Sequence, residues 1–532
     1  MAGAAARTML PGDMLLPGTA LPGTALPGPA AQGGRGPDRA NWGSGWKSLP
    51  AWWRLRMAVT GRSARLALAV SVGQGTRRAV RRLGRGNGTS CPGMAALRID
   101  PGALASLAGQ IPRGAVIVTG TKGKGTTCRL LAAVMRASGL HPILNHEGSN
   151  QAAGLTTTLL AQAGPLGRLP ADHRATGVFE VDSGSLPEIL PQVRPAALVF
   201  TNVLRDQMDR YLELDYLTRR WERALQALPA QAVLVLNADD PRLACLGSGL
   251  GHPRVYYGIE DDAPDRGADS TSDFPRCPAC AGELAYGRVF YAHLGHWECT
   301  QCGLARPAPQ VRAAKVDLIG CVSSRLQVQT ASGDAVLEVP LPGLYNAYNA
   351  VAAAAAATAC QLPGSALPAV ADVTPGLLCM ERVVTGGRQV HLALADNLNG
   401  YSEVLRAVLG DRQPKHLLLG LNDRAASRQP DVSWIWDVDF ESARGLVPAA
   451  VITGNRADDL AVRLKYARWT APGAGARATE IAVQADPVLA LQLALRRTPP
   501  GQPVWVVSTY LVLRQIRDWL RRQGHVAALR ER

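Results

Sequence analysis

The chain has 532 residues, 47% of them apolar, and a net charge of +15 at pH 7, which is enough for two or three domains with cores of their own. No apolar run approaches a membrane span, the best candidate at 66–72 being far too short. Ten cysteines, four of them in two tight pairs and the rest scattered, do not make a secreted disulfide framework and fit a reducing cytoplasm.

The charge is uneven. Twelve Lys and Arg lie from Arg39 to Arg98, and no acidic residue stands between Asp38 and Asp100. Residues 1–50, with Leu-Pro-Gly at 10–12, 16–18, 21–23 and 26–28, hold too much proline and glycine for a helix or strand. They read as a disordered extension or a start assigned too far upstream, with Met57 an alternative start. No charged start followed by an apolar core marks a signal peptide. Residues 51–95 read as a basic helical arm. It is open to packing on the next domain, to contact with an anionic membrane surface, or, with little aromatic support, to nucleic-acid binding.

From residue 96 short apolar runs alternate with helical patterns. Ala115–Thr119, 177–181, 196–201 and 232–237 read as buried strands, with helices at 126–138 and 216–227 between them. This βα alternation predicts a mostly parallel sheet whose ligands sit at the strand C-termini.

The first strand runs into Gly120-Thr-Lys-Gly-Lys-Gly-Thr-Thr127 and then a helix. Glycines let backbone N–H groups close on an anion, the helix start adds partial positive charge, and Lys124 supplies a full one. The general Walker spacing would want glycine at Val118 and Ser or Thr at Gly125, so this is a nonstandard phosphate loop. Polar clusters end the next strands: Glu180-Val-Asp182, Thr201-Asn202 with Arg205-Asp-Gln-Met-Asp-Arg210, and Asn237-Ala-Asp-Asp-Pro241. Carboxylates at those places would hold Mg²⁺ against nucleotide phosphates.

Cys277-Pro-Ala-Cys280, eighteen residues, then Cys299-Thr-Gln-Cys302-Gly303 has the spacing of a tetrahedral four-thiolate zinc site. Four thiolates leave no open position, so the metal is expected to be structural, and His293 and His296 to be bystanders. Further on, Tyr345-Asn-Ala-Tyr-Asn349 opens an alanine-rich helix, where its asparagines can cap the helix or meet a nucleotide. The composition near 380–387 suggests a hinge. A second α/β pattern follows, with strands at His416–Gly420, Ala449–Thr453 and Val504–Ser508 and helices near 458–466 and 511–523.

With these motifs in place, together with Asn145-His-Glu-Gly-Ser-Asn150, Asp431-Val-Ser-Trp434 and Thr453-Gly-Asn-Arg456, the chain resembles the Mur ligase superfamily over residues 100–525. Within it, the four-cysteine insertion followed by Asp-x-Ser-Trp is similar to the MurT-like chains, the ligase-like subunits of lipid II isoglutaminyl synthases. The resemblance implies an α/β fold at 96–380, a P-loop Mur ligase central ATP-binding domain with a zinc ribbon inserted at about 271–305. A Rossmann-like α/β C-terminal domain at 381–532 would follow it.

The resemblance also implies a chemistry. ATP would bind with its phosphates on Gly120, Thr121, Gly123, Lys124, Gly125, Thr126 and Thr127, with Asn202 and Asn346 at the nucleotide site and Glu180 helping to hold Mg²⁺. Lys124, Glu180 and Asp431 would be the catalytic residues, and Cys277, Cys280, Cys299 and Cys302 the Zn²⁺ ligands. The expected reaction amidates the D-glutamate α-carboxylate of lipid II, for peptidoglycan and the cell wall, by way of an acyl phosphate. This chain shows no glutaminase nucleophile motif, so ammonia would come from a GatD-like glutamine amidotransferase subunit, whose histidine Asp431 would orient. On residues alone, Asp431 equally suits a cap before Val432-Ser-Trp.

The location would be cytoplasmic, with a peripheral contact at the inner membrane face left open by the basic arm, and no nucleic acid is expected. Against addition of an amino acid, no lysine stands between Lys124 and Lys315, and Gln207 takes the place of a usual metal-binding histidine. Other departures are Gly125 in place of threonine, as in folylpolyglutamate synthases, Ser427-Arg-Gln-Pro430 before Asp431, and Asn397-Leu398 in place of Asn-Pro. Two alternatives stand beside this reading: a self-sufficient Mur or folylpolyglutamate-synthase-like amino-acid ligase, and a zinc-ribbon nucleic-acid-binding ATPase.

Overall fold

The computed structural model describes residues 62–83, 90–145, 148–204, 214–262, 276–320, 322–373, 381–410, 413–423, 431–471 and 478–525. The extension at 1–50, the first part of the arm, His146 and Glu147, Arg205-…-Arg210 with Gln207, and Ser427–Pro430 lie outside the described residues. No helix among the described residues is long and apolar enough to cross a membrane.

Helices α1 (Arg62–Leu83), α2 (Cys91–Ile99) and α3 (Ala103–Ala108) lead into the first sheet. On α1, Leu66, Ala69, Val70 and Gly73 recur at helical spacing and are all buried. The Gln74 amide secures that face by donating to Leu160 O (3.0 Å) and Ala163 O (2.7 Å). This face of residues 62–83 therefore packs on the next domain.

Strands β1 (Ala115–Thr119), β2 (His141–Leu144), β3 (Ala175–Glu180), β4 (Ala197–Phe200), β5 (Val233–Asn237), β6 (Arg254–Ile259) and β9 (Val311–Ile319) run parallel. The antiparallel strands β10 (Ser323–Thr330) and β11 (Gly333–Val339) complete the order β11-β10-β9-β6-β5-β4-β1-β3-β2. Between β6 and β9 the hairpin β7 (Leu284–Tyr291) and β8 (Leu294–Cys299) forms a two-stranded sheet of its own.

All five residues of β1 are buried, as a strand covered on both faces requires. Its cover includes α4 (Lys124–Ala137), α5 (Ala152–Gln162), α6 (Leu186–Val193) and α7 (Leu214–Leu225). On α7, Leu217, Trp221 and Leu225 make a buried stripe, and Trp221 Nε1 donates to Ser183 O at 2.8 Å. A short α8 (Pro241–Ala244) follows β5. Helix α9 (Leu344–Ala359) has Ala347 and Ala350–Ala357 all buried. Small side chains on every face let it sink into the core, where a one-sided amphipathic helix would strand its polar face.

The C-terminal sheet has the order β12-β13-β17-β14-β15-β16. Its strands are β12 (Glu381–Thr385), β13 (Arg388–Leu394), β14 (His416–Gly420), β15 (Ala449–Thr453), β16 (Glu480–Val483) and β17 (Val504–Ser508), parallel except for β12. The segment expected to be a hinge is thus partly strand. Glu381–Thr385 pairs with β13 through a turn at Gly386 and Gly387, both at positive φ, and Arg517 holds Glu381 at 2.8 Å. Helices α10 (Leu398–Leu409), α11 (Ala457–Tyr466), α12 (Pro487–Arg497) and α13 (Tyr510–Arg522) cover this sheet.

Candidate functional site

At the C-terminal edge of the first sheet, β1 is flanked by β3 and β4, and the loop 120–123 leaves it there. Gly120 (φ 132°) and Gly123 (φ 82°) take backbone conformations that a side chain disfavours, and their surroundings also exclude one. A Cβ on Gly120 would stand 2.2 Å from Thr201 Oγ1, and one on Gly123 would stand 1.9 Å from Asn349 Oδ1. Gly123 at the N-cap of α4 offers no side-chain cap, and a helix N-terminus is where backbone N–H groups meet an anion. Lys124 Nζ crosses the loop to donate to Gly120 O and Thr121 O, each at 2.9 Å. Thr126 is half-buried, and Thr127 is fully buried with its hydroxyl unpaired.

The segment after β4 fastens the loop. Asn202 Oδ1 accepts from Lys122 N (2.9 Å), its Nδ2 donates to Lys122 O (3.2 Å), and its carbonyl accepts from Thr121 N (2.9 Å). Thr201 Oγ1 donates to Lys122 O at 2.7 Å, and Ser183 Oγ to Gly120 O at 2.7 Å. Asn202 therefore shapes the loop from behind.

Glu180 ends β3 beside the loop. Asn145 brackets its backbone, accepting from Glu180 N (2.8 Å) and donating to Glu180 O (3.0 Å), while Asn150 Nδ2 donates to Glu180 Oε1 (3.3 Å). Glu180 Oε2 lies over Gly125, 2.8 Å from where a Cβ would be. A half-buried carboxylate, a threonine hydroxyl and a lysine around a helix N-terminus are the donor set that a nucleotide phosphate with Mg²⁺ requires, so these residues fit the cofactors expected of them.

Asn346, expected at the nucleotide, is 1% exposed. Its Nδ2 donates to Pro342 O (2.7 Å) and its Oδ1 accepts from Asn349 Nδ2 (3.1 Å). The asparagine that lies against the loop is Asn349, one helical turn further on. The repeated asparagines were visible in the sequence, but which of them faces the loop depends on the rotation of α9.

The acidic cluster after β5 differs from expectation: Asp239 and Asp240 are committed to internal contacts. Both are fully buried. Asp240 caps α8 through Arg242 N (3.0 Å) and Leu243 N (3.4 Å), and accepts from Val203 N at 2.9 Å. Asp239 accepts from Arg306 Nε (2.6 Å), Tyr348 OH (2.7 Å) and Ile259 N (3.0 Å). Burial pushes its carboxyl up against the pull of Arg306 and Tyr348. Buried carboxylates that already accept from three protein donors each are committed to the fold and poorly placed to take a metal. The residue types marked the strand end; their partners lie far away in sequence.

The four cysteines converge, with all their sulfurs within 4.8 Å of one another, Cys277 to Cys302 at 3.6 Å and Cys280 to Cys299 at 3.5 Å. Zn–S bonds of about 2.3 Å in a tetrahedron put sulfurs roughly 3.8 Å apart, so the cluster fits zinc. Each pair closes a knuckle with a left-handed residue after its second cysteine, Ala281 (φ 58°) and Gly303 (φ 70°). Backbone N–H groups of Cys302 and Gln301 hold the Cys299 thiol down at about 6, favouring the thiolate that binds metal.

Neither histidine joins the cluster, yet His296 ties the ribbon to the sheet by a hydrogen bond and His293 packs against it. His293 Nε2 lies 3.4 Å from Asp240 Oδ2, and His296 Nε2 meets Ile259 O at 2.9 Å. The ribbon's small core of Cys277, Leu284, Trp297 and Cys299 closes over Ala244.

In the C-terminal domain Asp431 is exposed, and its carboxylate accepts from Ser433 N (2.8 Å) and Ser433 Oγ (3.0 Å) at the start of the turn Ser433–Trp436. The cap reading is therefore realised locally, and Val432 and Ile435 anchor the turn in the core. After β15, Gly454 (φ 105°) approaches Leu421, and Asn455 N donates to Asn422 Oδ1 at 2.6 Å.

Residues 118–276 match the family described as the Mur ligase middle domain, ending where the ribbon begins, and residues 394–513 match the family described as the MurT ligase C-terminal. The chain is 31% identical over 406 residues to the lipid II isoglutaminyl synthase (glutamine-hydrolyzing) subunit MurT of Staphylococcus aureus strain N315, covering 76% of this chain and 88% of that protein. To the same subunit of Streptococcus pneumoniae it is 30% identical, over 76% of this chain and 87% of that one. Its fold is similar to a pseudomurein peptide ligase type C from Methanothermus fervidus, with TM-score 0.59 and 20% identity over 78% of this chain and 80% of that one. It is also similar to MurF from Acinetobacter baumannii, with TM-score 0.55 and 14% identity over 79% of each chain. With the phosphate loop, the four-cysteine ribbon and these relatives together, the chain belongs to the Mur ligase superfamily of ATP-dependent ligases, in its MurT family.

Proposed function

We propose that this chain is the ATP-using subunit of a lipid II isoglutaminyl synthase, in which residues 96–380 activate a carboxylate and residues 381–532 meet a glutaminase. The observation that carries this reading is the phosphate loop closed by Glu180 over Gly125, in a chain 31% identical to MurT. Amidation of a carboxylate needs a leaving group better than oxide. The α-carboxylate of the D-glutamate residue in the stem peptide attacks the γ-phosphorus of ATP, ADP leaves, and an acyl phosphate forms. Ammonia adds at the acyl carbon, inorganic phosphate leaves with the C–O electron pair, and loss of a proton gives D-isoglutamine.

The loop amides and Lys124 hold the phosphates in line and offset the charge that builds on them. Glu180 and the Thr126 hydroxyl would hold Mg²⁺, which when bound neutralises phosphate charge. Cys277, Cys280, Cys299 and Cys302 would hold Zn²⁺, which when bound supplies folding energy to a ribbon too small to stand on its core. A GatD-like partner would release ammonia from glutamine, with Asp431 orienting the partner's catalytic histidine.

The test is amidation of lipid II by this chain and a co-expressed glutaminase partner, with ATP and glutamine, read by mass spectrometry as the 1 Da loss that converts carboxylate to amide. Product that forms without ATP, or ATP use that yields an added amino acid, would overturn the proposal.

A further inference from the structure

Two short runs of contacts join the cysteine ribbon to the phosphate loop, and both pass through the adjacent aspartates after β5. In the first, Gly295 N of β8 donates to Asp239 O (3.0 Å), and Arg306, whose N donates to Trp297 O (2.9 Å), grips the Asp239 carboxylate at 2.6 Å. That carboxylate also accepts from Tyr348 OH at 2.7 Å. Tyr348 is the neighbour of Asn349, whose Oδ1 fills the space beside Gly123. In the second, His293 at the turn of the ribbon hairpin packs with Nε2 3.4 Å from Asp240 Oδ2 but makes no hydrogen bond to it, and that oxygen accepts from Val203 N (2.9 Å). Val203 follows Asn202, which holds both backbone groups of Lys122.

The groups in the middle are fully buried: Asp239 and Asp240 at 0% and Tyr348 at 4% exposed. Buried polar contacts of this kind tolerate little rearrangement, because an unpaired carboxylate in the interior is costly. Trp297 Nε1 adds a third tie, donating to Ala238 O at 3.0 Å. A ribbon serving only as an outer module would need none of these contacts.

We infer that the metal-loaded ribbon is a positioning element for the phosphate loop. It fixes Asp239 and Asp240, and through them the start of α9 and the segment 201–204 that clamp residues 120–123. Asp239, Tyr348 and His293 are positioning residues in this scheme, acting through the residues that clamp the loop. The inference rests on the zinc and phosphate-loop readings above, and its test needs no nucleotide, so its failure is separable from theirs.

The experiment is hydrogen–deuterium exchange of the full chain, zinc-loaded and stripped with a strong chelator under reducing conditions. On stripping, amides at 120–124 are expected to exchange about fivefold faster or more, the low end of typical coupling between sites. Peptides of β14 and β17 are expected to stay at the loaded rate. Unchanged exchange at 120–124 would overturn the inference. If stripping also loosens β14 and β17, the zinc-loaded Tyr348→Phe and His293→Gln variants decide. They should keep one zinc per chain and wild-type exchange in β7 and β8 while 120–124 speeds up, and wild-type exchange at 120–124 in both variants overturns the inference. ATP binding to the loaded wild type, measured separately by calorimetry, tests the phosphate-loop reading by itself.

Discussion

Glu180 Oε2 lies 2.8 Å from the position a Cβ on Gly125 would occupy. The side chain missing from the loop is the one that would keep the carboxylate of β3 away from the start of α4. Glycine at this position lets that carboxylate come close to the start of α4. Gly125 does not need a positive φ, since it is absent from the residues that have one.

Gly125→Ala is accordingly expected to fold normally. Alanine favours a helix by up to about 1 kcal/mol over glycine, and the atom it displaces is the far end of a flexible side chain. Activity should suffer instead, with Mg²⁺-dependent ATP binding weakened by about tenfold, roughly 1.4 kcal/mol. Calorimetric titration with Mg·ATP alongside a melting curve checks both halves, and an unchanged affinity would remove Glu180 from the metal site.

Lys124→Ala removes the cation that reaches Gly120 O and Thr121 O. Loss of a preorganised charge at a developing negative centre costs about 10²–10³ in kcat. The drop should be equal with glutamine and with ammonium as nitrogen source, since both need the acyl phosphate. Steady-state phosphate release in the two conditions is the measurement.

Asp431→Asn keeps an oxygen that can accept from Ser433 N, so the turn Ser433–Trp436 should survive. Glutamine-dependent amidation is expected to fall by about 10²-fold or more, as for loss of a residue that orients a catalytic histidine, while ammonium-dependent amidation stays near wild type. Equal loss with both nitrogen sources would assign Asp431 to the turn alone.

His391 stacks on Trp505 with ring centroids 4.0 Å apart, and burial, with Arg382 nearby, pulls its pKa from 6.5 down to about 4. A group that binds its proton more weakly when folded leaves the unfolded chain with more bound protons at intermediate pH, so stability rises with pH. The C-terminal domain should therefore lose stability as pH falls from 6.5 towards 4, by about 1–2 kcal/mol once partial exposure is allowed for. Urea melts at pH 7.5 and pH 4.5 followed by Trp fluorescence test this, and His391→Gln should reduce the difference, leaving the parts that belong to His416 and Glu441.

Much of the fold was legible because its signals are local. Ala115–Thr119, His416–Gly420, Ala449–Thr453 and Val504–Ser508 are strands as their buried apolar runs predict. The helix after the loop begins at Lys124, two residues before its expected start, since nothing in the sequence reveals which turn of a glycine-rich segment closes first. The hinge expected near 380–387 is partly a strand because β12 pairs with β13, and pairing is a property of the partner.

The cysteine spacing marked the ribbon, because two C-x-x-C knuckles supply the four thiolates of a tetrahedral site, and the β7–β8 hairpin brings them together. The order of strand, glycine loop, lysine and helix likewise determined the phosphate loop. Tertiary structure decided the rest. Asp239 and Asp240 looked like Asp182 and Glu180 in sequence, yet Arg306, Tyr348 and Val203 engage the first two. Asn349 rather than Asn346 lies against Gly123, and His296, between the cysteine pairs, fastens the ribbon to the sheet. Sequence names the donors and acceptors; only the packed chain decides which are used up on each other and which remain for a ligand. For Gly125, that decision is the carboxylate of Glu180 lying where a side chain would have been.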